Sequence, residues 1–133
     1  MKTGMTSVTF RGKSVEEVVS ITKEANLTGI EWGGDVHVPA GDLPAAEKAA
    51  ALCREAGLSV LSYGSYFHAD EGEDFSPVLA SAKALGAPVI RIWAGRKTYE
   101  ESTPEEFSAL ASRIREAAKA AAEAGIRVGF EFH

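Results

Sequence analysis

Short apolar runs alternate along this chain with longer stretches in which apolar residues recur every three or four positions. Four of the runs open on a glycine: G-I-E-W from Gly29, G-L-S-V-L from Gly57, G-A-P-V-I-R-I from Gly86 and G-I-R-V-G-F from Gly125. The intervals are 28, 29 and 39 residues, about the length of one strand–helix unit each. Each glycine follows a helical pattern, where a residue at positive φ would end the helix. The runs predict strands near 5–10, 29–33, 58–64, 88–94 and 126–132, separated by four helices. Ser14 followed by Glu17, and Thr103 followed by Glu106, have capping-box form, with Pro104 at a first helical position. Asp42 before Leu43-Pro44, and Ser76 before Pro77, mark the other two helix starts. In the last helix Phe107, Leu110, Ala111, Ile114, Ala117, Ala118 and Ala121 form one apolar stripe. Alternating β and α elements imply parallel strands joined by right-handed crossovers.

The connections are unequal. Helix-to-strand turns take two or three residues and pivot on glycine, whereas the strand-to-helix loops 33–42, 64–75 and 94–103 are long. In barrels and open α/β sheets the loops after the strands build the site. All three histidines follow this rule, His37 after the second strand, His68 after the third and His133 at the end of the fifth.

Strand parity then sorts the side chains. Val128, Phe130 and Phe132 share the face suited to packing under helices, and Gly129, Glu131 and His133 share the other. Val89, Arg91 and Trp93 oppose Ile90, Ile92 and Ala94, while Glu31 opposes Ile30 and a core Trp32. Glu31, Arg91, Glu131 and His133 are therefore expected on one interior near the strand ends, where such groups must pair or bind something. A structural ion pair between Glu31 and Arg91 accounts for part of this set. Glu131 and His133, two residues apart on one face, also have the donors for Mn²⁺, Mg²⁺, Zn²⁺ or Co²⁺. Trp93 shares Arg91's face and is a pocket-lining candidate. His68, in Y-G-S-Y-F-H-A-D, sits among aromatics that stack on a sugar or pack together. His37 is either a site residue or a satisfied loop histidine, and the acidic residues at 70–74 read as a solvated loop.

Composition narrows the classes. The 133 residues, 45% hydrophobic and 25% charged, suit one globular domain with a real core. Nineteen acidic against fourteen basic residues leave no basic groove for nucleic acid, and no run is apolar and long enough to span a bilayer. Cys53 is the single cysteine, so no intramolecular disulfide forms, and a buried thiol in a reducing cytoplasm is expected.

Taken in order, G-I-E-W-G with H-V-P, S-Y-G-S-Y-F, A-L-G-A-P-V-I-R-I-W-A-G and G-I-R-V-G-F-E-F-H resemble the sugar phosphate isomerase/epimerase group, the xylose isomerase-like TIM barrels, which are related to endonuclease IV. The resemblance runs from the first strand to the last residue. It implies that residues 1–133 form the N-terminal part of a (β/α)8 barrel, an α/β fold of about five strands and four helices. It implies a divalent metal bound by Glu131, which in the ketose epimerases also moves a proton, with His133 close to metal and substrate. Glu31 matches an acidic residue common at the end of the second strand. His68 falls near a metal histidine of endonuclease IV-like members, although its neighbours match poorly. In the family the remaining metal ligands, an Asp, a His and a Glu, come from the sixth to eighth strands, which this sequence lacks. The expectation is an isomerase or epimerase portion acting on a small-molecule carbohydrate. It would be catalytically incomplete alone, bind its metal weakly or not at all, and pair as a homodimer or with the missing barrel half. The alternative is a non-catalytic half-barrel that acts through self-association. An endonuclease of the same superfamily would require the basic groove and the richer ligand set that this sequence does not have.

Overall fold

The computed structural model describes residues 1–131; Phe132 and His133, assigned above to the last strand, lie outside the described residues. Strands β1 (Gly4–Thr6), β2 (Gly29–Gly33), β3 (Ser59–Gly64), β4 (Val89–Trp93) and β5 (Arg127–Glu131) form one parallel sheet in sequence order. Helices α1 (Val15–Glu24), α2 (Leu43–Ala56), α3 (Ser76–Leu85) and α4 (Pro104–Glu123) alternate with them. This is the expected α/β architecture, five strands and four helices of an incomplete barrel.

Parity decides which face is covered. Ile30, Trp32, Tyr63, Ile90 and Ile92 are fully buried on the helix side, against Val18, Ala46, Ala49, Cys53, Ala82, Leu85, Ala117 and Ala121. Much of the helix contribution is alanine, which lets the helices lie close to the sheet. Each fully buried isoleucine contributes about 1.5–3 kcal/mol. The capping boxes at Ser14 and Thr103 are both formed, and Asp42 accepts from the Ala45 N–H. No helix among the described residues is long and apolar enough to cross a membrane.

Three expectations shift. β1 is three residues long, and a 3-10 turn, Ser7–Phe10, replaces its second half. The Gly33 N–H that would extend the ladder toward β1 instead donates to the Ser7 hydroxyl at 2.8 Å, so the chain leaves the sheet there. Gly57, Gly86 and Gly125 take positive φ as expected, but Gly29 lies within β2, and Asn26 (φ 55°) makes the left-handed turn after α1. Ser76 opens α3 as expected, and its N–H donates to Asp74 Oδ1 at 2.9 Å. Phe107 and Phe130 are half exposed, although the apolar pattern placed both in the core. Burial along α4 is complete only at Ala117 and Ala121, and β5 is the edge strand of the described sheet.

Candidate active site

The uncovered face of the sheet carries its polar residues at the carboxyl ends of the strands. Glu31 stands in register between Thr6 of β1 and Ser62 of β3. Its carboxylate accepts from Ser62 Oγ at 2.6 Å on one oxygen and from Thr6 Oγ1 at 3.3 Å on the other. Arg91, on β4 opposite Gly129, directs Nε toward Glu131 Oε2 at 3.1 Å. The pair is unequal, with the Arg91 side chain 13% exposed and that of Glu131 54%. Burying a guanidinium requires compensation on several sides. Here Glu131 supplies one, and the rings of Trp93 and Tyr66 supply two more, 4.5 and 5.6 Å from Arg91 Cζ.

Among the described residues Arg91 pairs with Glu131 and not, as expected, with Glu31; Glu31 and Arg91 instead both approach Gly64. A Cβ on Gly64 would lie 3.0 Å from Arg91 Nη2 and 3.1 Å from Glu31 Oε1, so both side chains use the space that glycine leaves. Two carboxylates and one guanidinium thus share the inner mouth, with net negative charge. Trp93 extends the group by stacking on His68, with ring centroids 6.3 Å apart and planes 20° from parallel. Of the residues predicted from sequence, the fold therefore brings together Glu31, Arg91, Trp93, Glu131 and, at the margin, His68. His133 lies outside the described residues.

His37 is placed differently. It is buried, with Nε2 2.9 Å from the Lys13 carbonyl and Nδ1 3.1 Å from Ser7 Oγ, and its ring meets Trp32 edge-on. A carbonyl can only accept, so Nε2 carries the proton and Nδ1 accepts from the Ser7 hydroxyl, which itself accepts from Gly33 N–H. This relay ties the β2 loop to the turn after β1.

Three residues at the mouth carried no periodic signal in the sequence. Arg11 donates from Nε to Asp35 Oδ2 at 2.5 Å and from Nη2 to the Tyr66 hydroxyl at 2.7 Å; that hydroxyl donates to Asp35 at 3.3 Å. Burial raises the Asp35 pKa, but the Arg11 hydrogen bond, the Val36 N–H and the Arg11 charge together hold it below the ordinary carboxylate value. Tyr66 reaches Arg91 with its ring and Arg11 with its hydroxyl, and so joins the outer pair to the inner group. The aromatic run around it was the one available hint.

Among the described residues, two places have metal-binding chemistry. Glu131 is a half-exposed oxygen donor at the end of β5, with its Arg91 contact on Oε2. It fits a hard divalent cation as one ligand among several. His68, Asp70 and Glu73 also bring ligand atoms within 4.8 Å of one another. That loop is more ordered than a solvated acidic run. Glu73 accepts from the N–H groups of His68 (3.0 Å) and Asp70 (3.1 Å), and Asp70 pairs with Arg96 at 2.6 Å. A cation there would have to displace Arg96, so these residues fit a loop clasp better than a metal centre.

A family model described as xylose isomerase-like TIM barrel matches residues 19–133. No curated protein matches the chain. Among solved structures, the chain is similar to the probable 3-DHS dehydratase AsbF, involved in petrobactin synthesis, from Bacillus anthracis. Identity is 21% and the TM-score 0.82, over 100% of this chain and 53% of that one. The apo form of the 3-keto-D-glucoside 4-epimerase YcjR from E. coli is 19% identical, with TM-score 0.74 over 98% and 55% of the two chains. The IolI protein with a bound zinc atom is 16% identical, with TM-score 0.77 over 99% and 51%. At these identities the likeness establishes the fold, and the chain spans about half the length of the structures it matches.

Proposed function

The chain belongs to the xylose isomerase-like TIM barrel family, and on that premise we propose that it is the N-terminal part of a divalent-metal-dependent sugar or sugar-phosphate isomerase or epimerase, incomplete as a catalyst by itself. The observation that carries this reading is the Glu31–Arg91–Glu131 group at the carboxyl ends of β2, β4 and β5, the place where such barrels build their sites. Glu131 would hold the metal together with donors from strands beyond the fifth. A bound divalent ion supplies charge stabilisation for oxygens beside the carbon that loses its proton. Glu131 also has the exposure to take or return that proton, while Arg91 fixes its orientation from beneath. Glu31, locked by Ser62 and Thr6, serves as an acceptor for sugar hydroxyls. Trp93 and His68 line the mouth. The partners are a small carbohydrate and the missing barrel half, or a second copy of the chain.

The test supplies the strands beyond the fifth, as a separate polypeptide or a longer chain, with Mn²⁺ and a panel of aldoses, ketoses and their phosphates. Isomerisation or epimerisation is expected, lost in Glu131→Gln without loss of folding. Activity that survives Glu131→Gln, or full turnover by residues 1–133 as a monomer, refutes the assignment.

A second reading, a non-catalytic half-barrel that works by self-association, draws on the exposed apolar surface. Tyr99, Phe107 and Phe130 are all at least half exposed, and with Leu110 and Ile114 they line a groove of about 410 Å³ beside the edge strand. A monomer at high concentration in analytical ultracentrifugation overturns it.

A further inference from the structure

Tyr66 is an exposed aromatic held from three directions. Its hydroxyl accepts from Arg11 and donates to Asp35, and one face of its ring lies against the Arg91 guanidinium. Yet the residue remains 38% exposed. With the hydroxyl engaged and one face covered, that exposure falls on the other face and the ring edge. A tyrosine present only for packing would bury the ring, and one present only for solubility would not need three anchors. A ring fixed in place and left bare on one side loses little conformational freedom when something settles on it.

Its position says what that something is. Tyr66, Arg91, Trp93 and His68 form a continuous stacked row across the mouth, and within it Tyr66 is the exposed aromatic. Arg91 is also the residue that holds Glu131. The other exposed aromatics among the described residues, Tyr99, Phe107 and Phe130, line the groove beside β5 and do not join this row. We infer that Tyr66 is the stacking platform for the substrate: a monosaccharide, lying with its C–H face on the ring, is set by Tyr66 at the height of Glu131. This rests on the carbohydrate reading above and adds a residue that touches the substrate and selects for a ring face rather than for a particular hydroxyl. Asp35 and Arg11 are then positioning residues that act through the tyrosine hydroxyl.

The experiment is saturation-transfer NMR on the 133-residue chain with D-xylose, D-fructose and D-glucose in turn, comparing wild type with Tyr66→Phe, Tyr66→Leu and Tyr66→Ala. Far-UV circular dichroism checks folding in each variant. Transfer to the sugar C–H protons is expected in wild type and in Tyr66→Phe, which keeps the ring. Leu and Ala variants should bind about tenfold more weakly, because apolar bulk without a π-face does not replace the stack. If wild type binds sugar and the Leu and Ala variants bind it equally well, the platform is refuted and the carbohydrate reading stands. If Tyr66→Phe loses binding as fully as Tyr66→Ala, the hydroxyl rather than the ring face carries recognition and the platform is again refuted. No transfer to any of the three sugars in wild type overturns the platform, while the isomerase reading is judged by its own test on the longer chain.

Discussion

Replacing Gly64 by alanine tests the geometry of the inner mouth through a single methyl group. The added Cβ would meet Arg91 Nη2 at 3.0 Å and Glu31 Oε1 at 3.1 Å, so its neighbours must give by a few tenths of an ångström. Neither is free to do so. Arg91 is wedged between Trp93 and Tyr66 and paired with Glu131, and Glu31 is tied to Ser62 at 2.6 Å. Overpacking of this kind costs about 1–3 kcal/mol. Gly64 is not among the positive-φ glycines, so alanine carries no backbone penalty there and lowers the entropy of the unfolded chain, an offset of about 0.4–1 kcal/mol. The net expectation is a loss of about 1–2 kcal/mol, a fall in Tm of about 5 °C for a chain of this size. Urea unfolding of wild type, Gly64→Ala, Glu31→Ala and the double variant measures it. The penalty should shrink in the Glu31→Ala background, with a coupling of about 0.5 kcal/mol or more. Gly57→Ala is the control: it has open space but φ of +72°, so its cost of about 1–2 kcal/mol comes from the backbone and should be the same with or without Glu31. A Gly64→Ala protein as stable as wild type, or a penalty indifferent to Glu31, refutes the close approach of Glu31 and Arg91 to Gly64.

Three further outcomes follow from named contacts. Thr103→Ala removes the cap of α4 and should cost about 1 kcal/mol by urea unfolding, and no loss would mean that α4 does not depend on its capping box. Burial pushes the Tyr63 hydroxyl up to about 12, and this side chain is fully buried with its O–H donated to Val38 O. A folded pKa above the unfolded one, about 10, gives stability that is complete below pH 10 and lost as pH rises toward 12, amounting to about 2–3 kcal/mol. Tyr63→Phe should flatten the alkaline limb of the stability curve, and an unchanged limb would remove Tyr63 from the account. His37→Leu leaves Ser7 Oγ and the Lys13 carbonyl without their partner, and about 2–3 kcal/mol of stability should go with it. A loss below about 0.5 kcal/mol would mean that His37 is not the pin of this loop.

The parallel (β/α) architecture was legible because it rests on periodicity and on local chemistry. Ser14, Thr103 and Asp42 cap helices for reasons contained within three or four residues, and alternation along β2 and β4 alone assigns Trp32 to the core and Arg91 to the mouth. The misplacements have a common cause. Gly29 and the second half of β1 were misread where a distant or neighbouring partner decides the local backbone: Asn26 for the turn after α1, and the Ser7–Gly33 bond for the end of β1. Phe107 and Phe130 follow the apolar pattern yet stay half exposed, because a pattern states which face a residue takes and not what lies opposite it. In the candidate site, strand residues were predictable from parity. Arg11, Asp35 and Tyr66 were not, since they sit in loops without period and their association spans up to 55 residues of sequence. His37 shows the converse. A histidine in a strand-to-helix loop met the rule for a site residue, but both ring nitrogens serve the loop itself.

The sheet follows the order of the sequence: β1 pairs with β2, β2 with β3, β3 with β4 and β4 with β5. Among the described strands each therefore docks on the one made just before it, and none of these four pairings waits for a later segment. A chain arranged this way can be assembled as it is synthesised. The entropy of closing each crossover differs little from one unit to the next, because that cost grows only with the logarithm of length. Glu31, Arg91 and Glu131 then arrive at the mouth one after another, on a sheet whose earlier strands are already in place. β5, at the edge of the described sheet, is then the last of these strands to dock, and it brings Glu131 beside an Arg91 already in place.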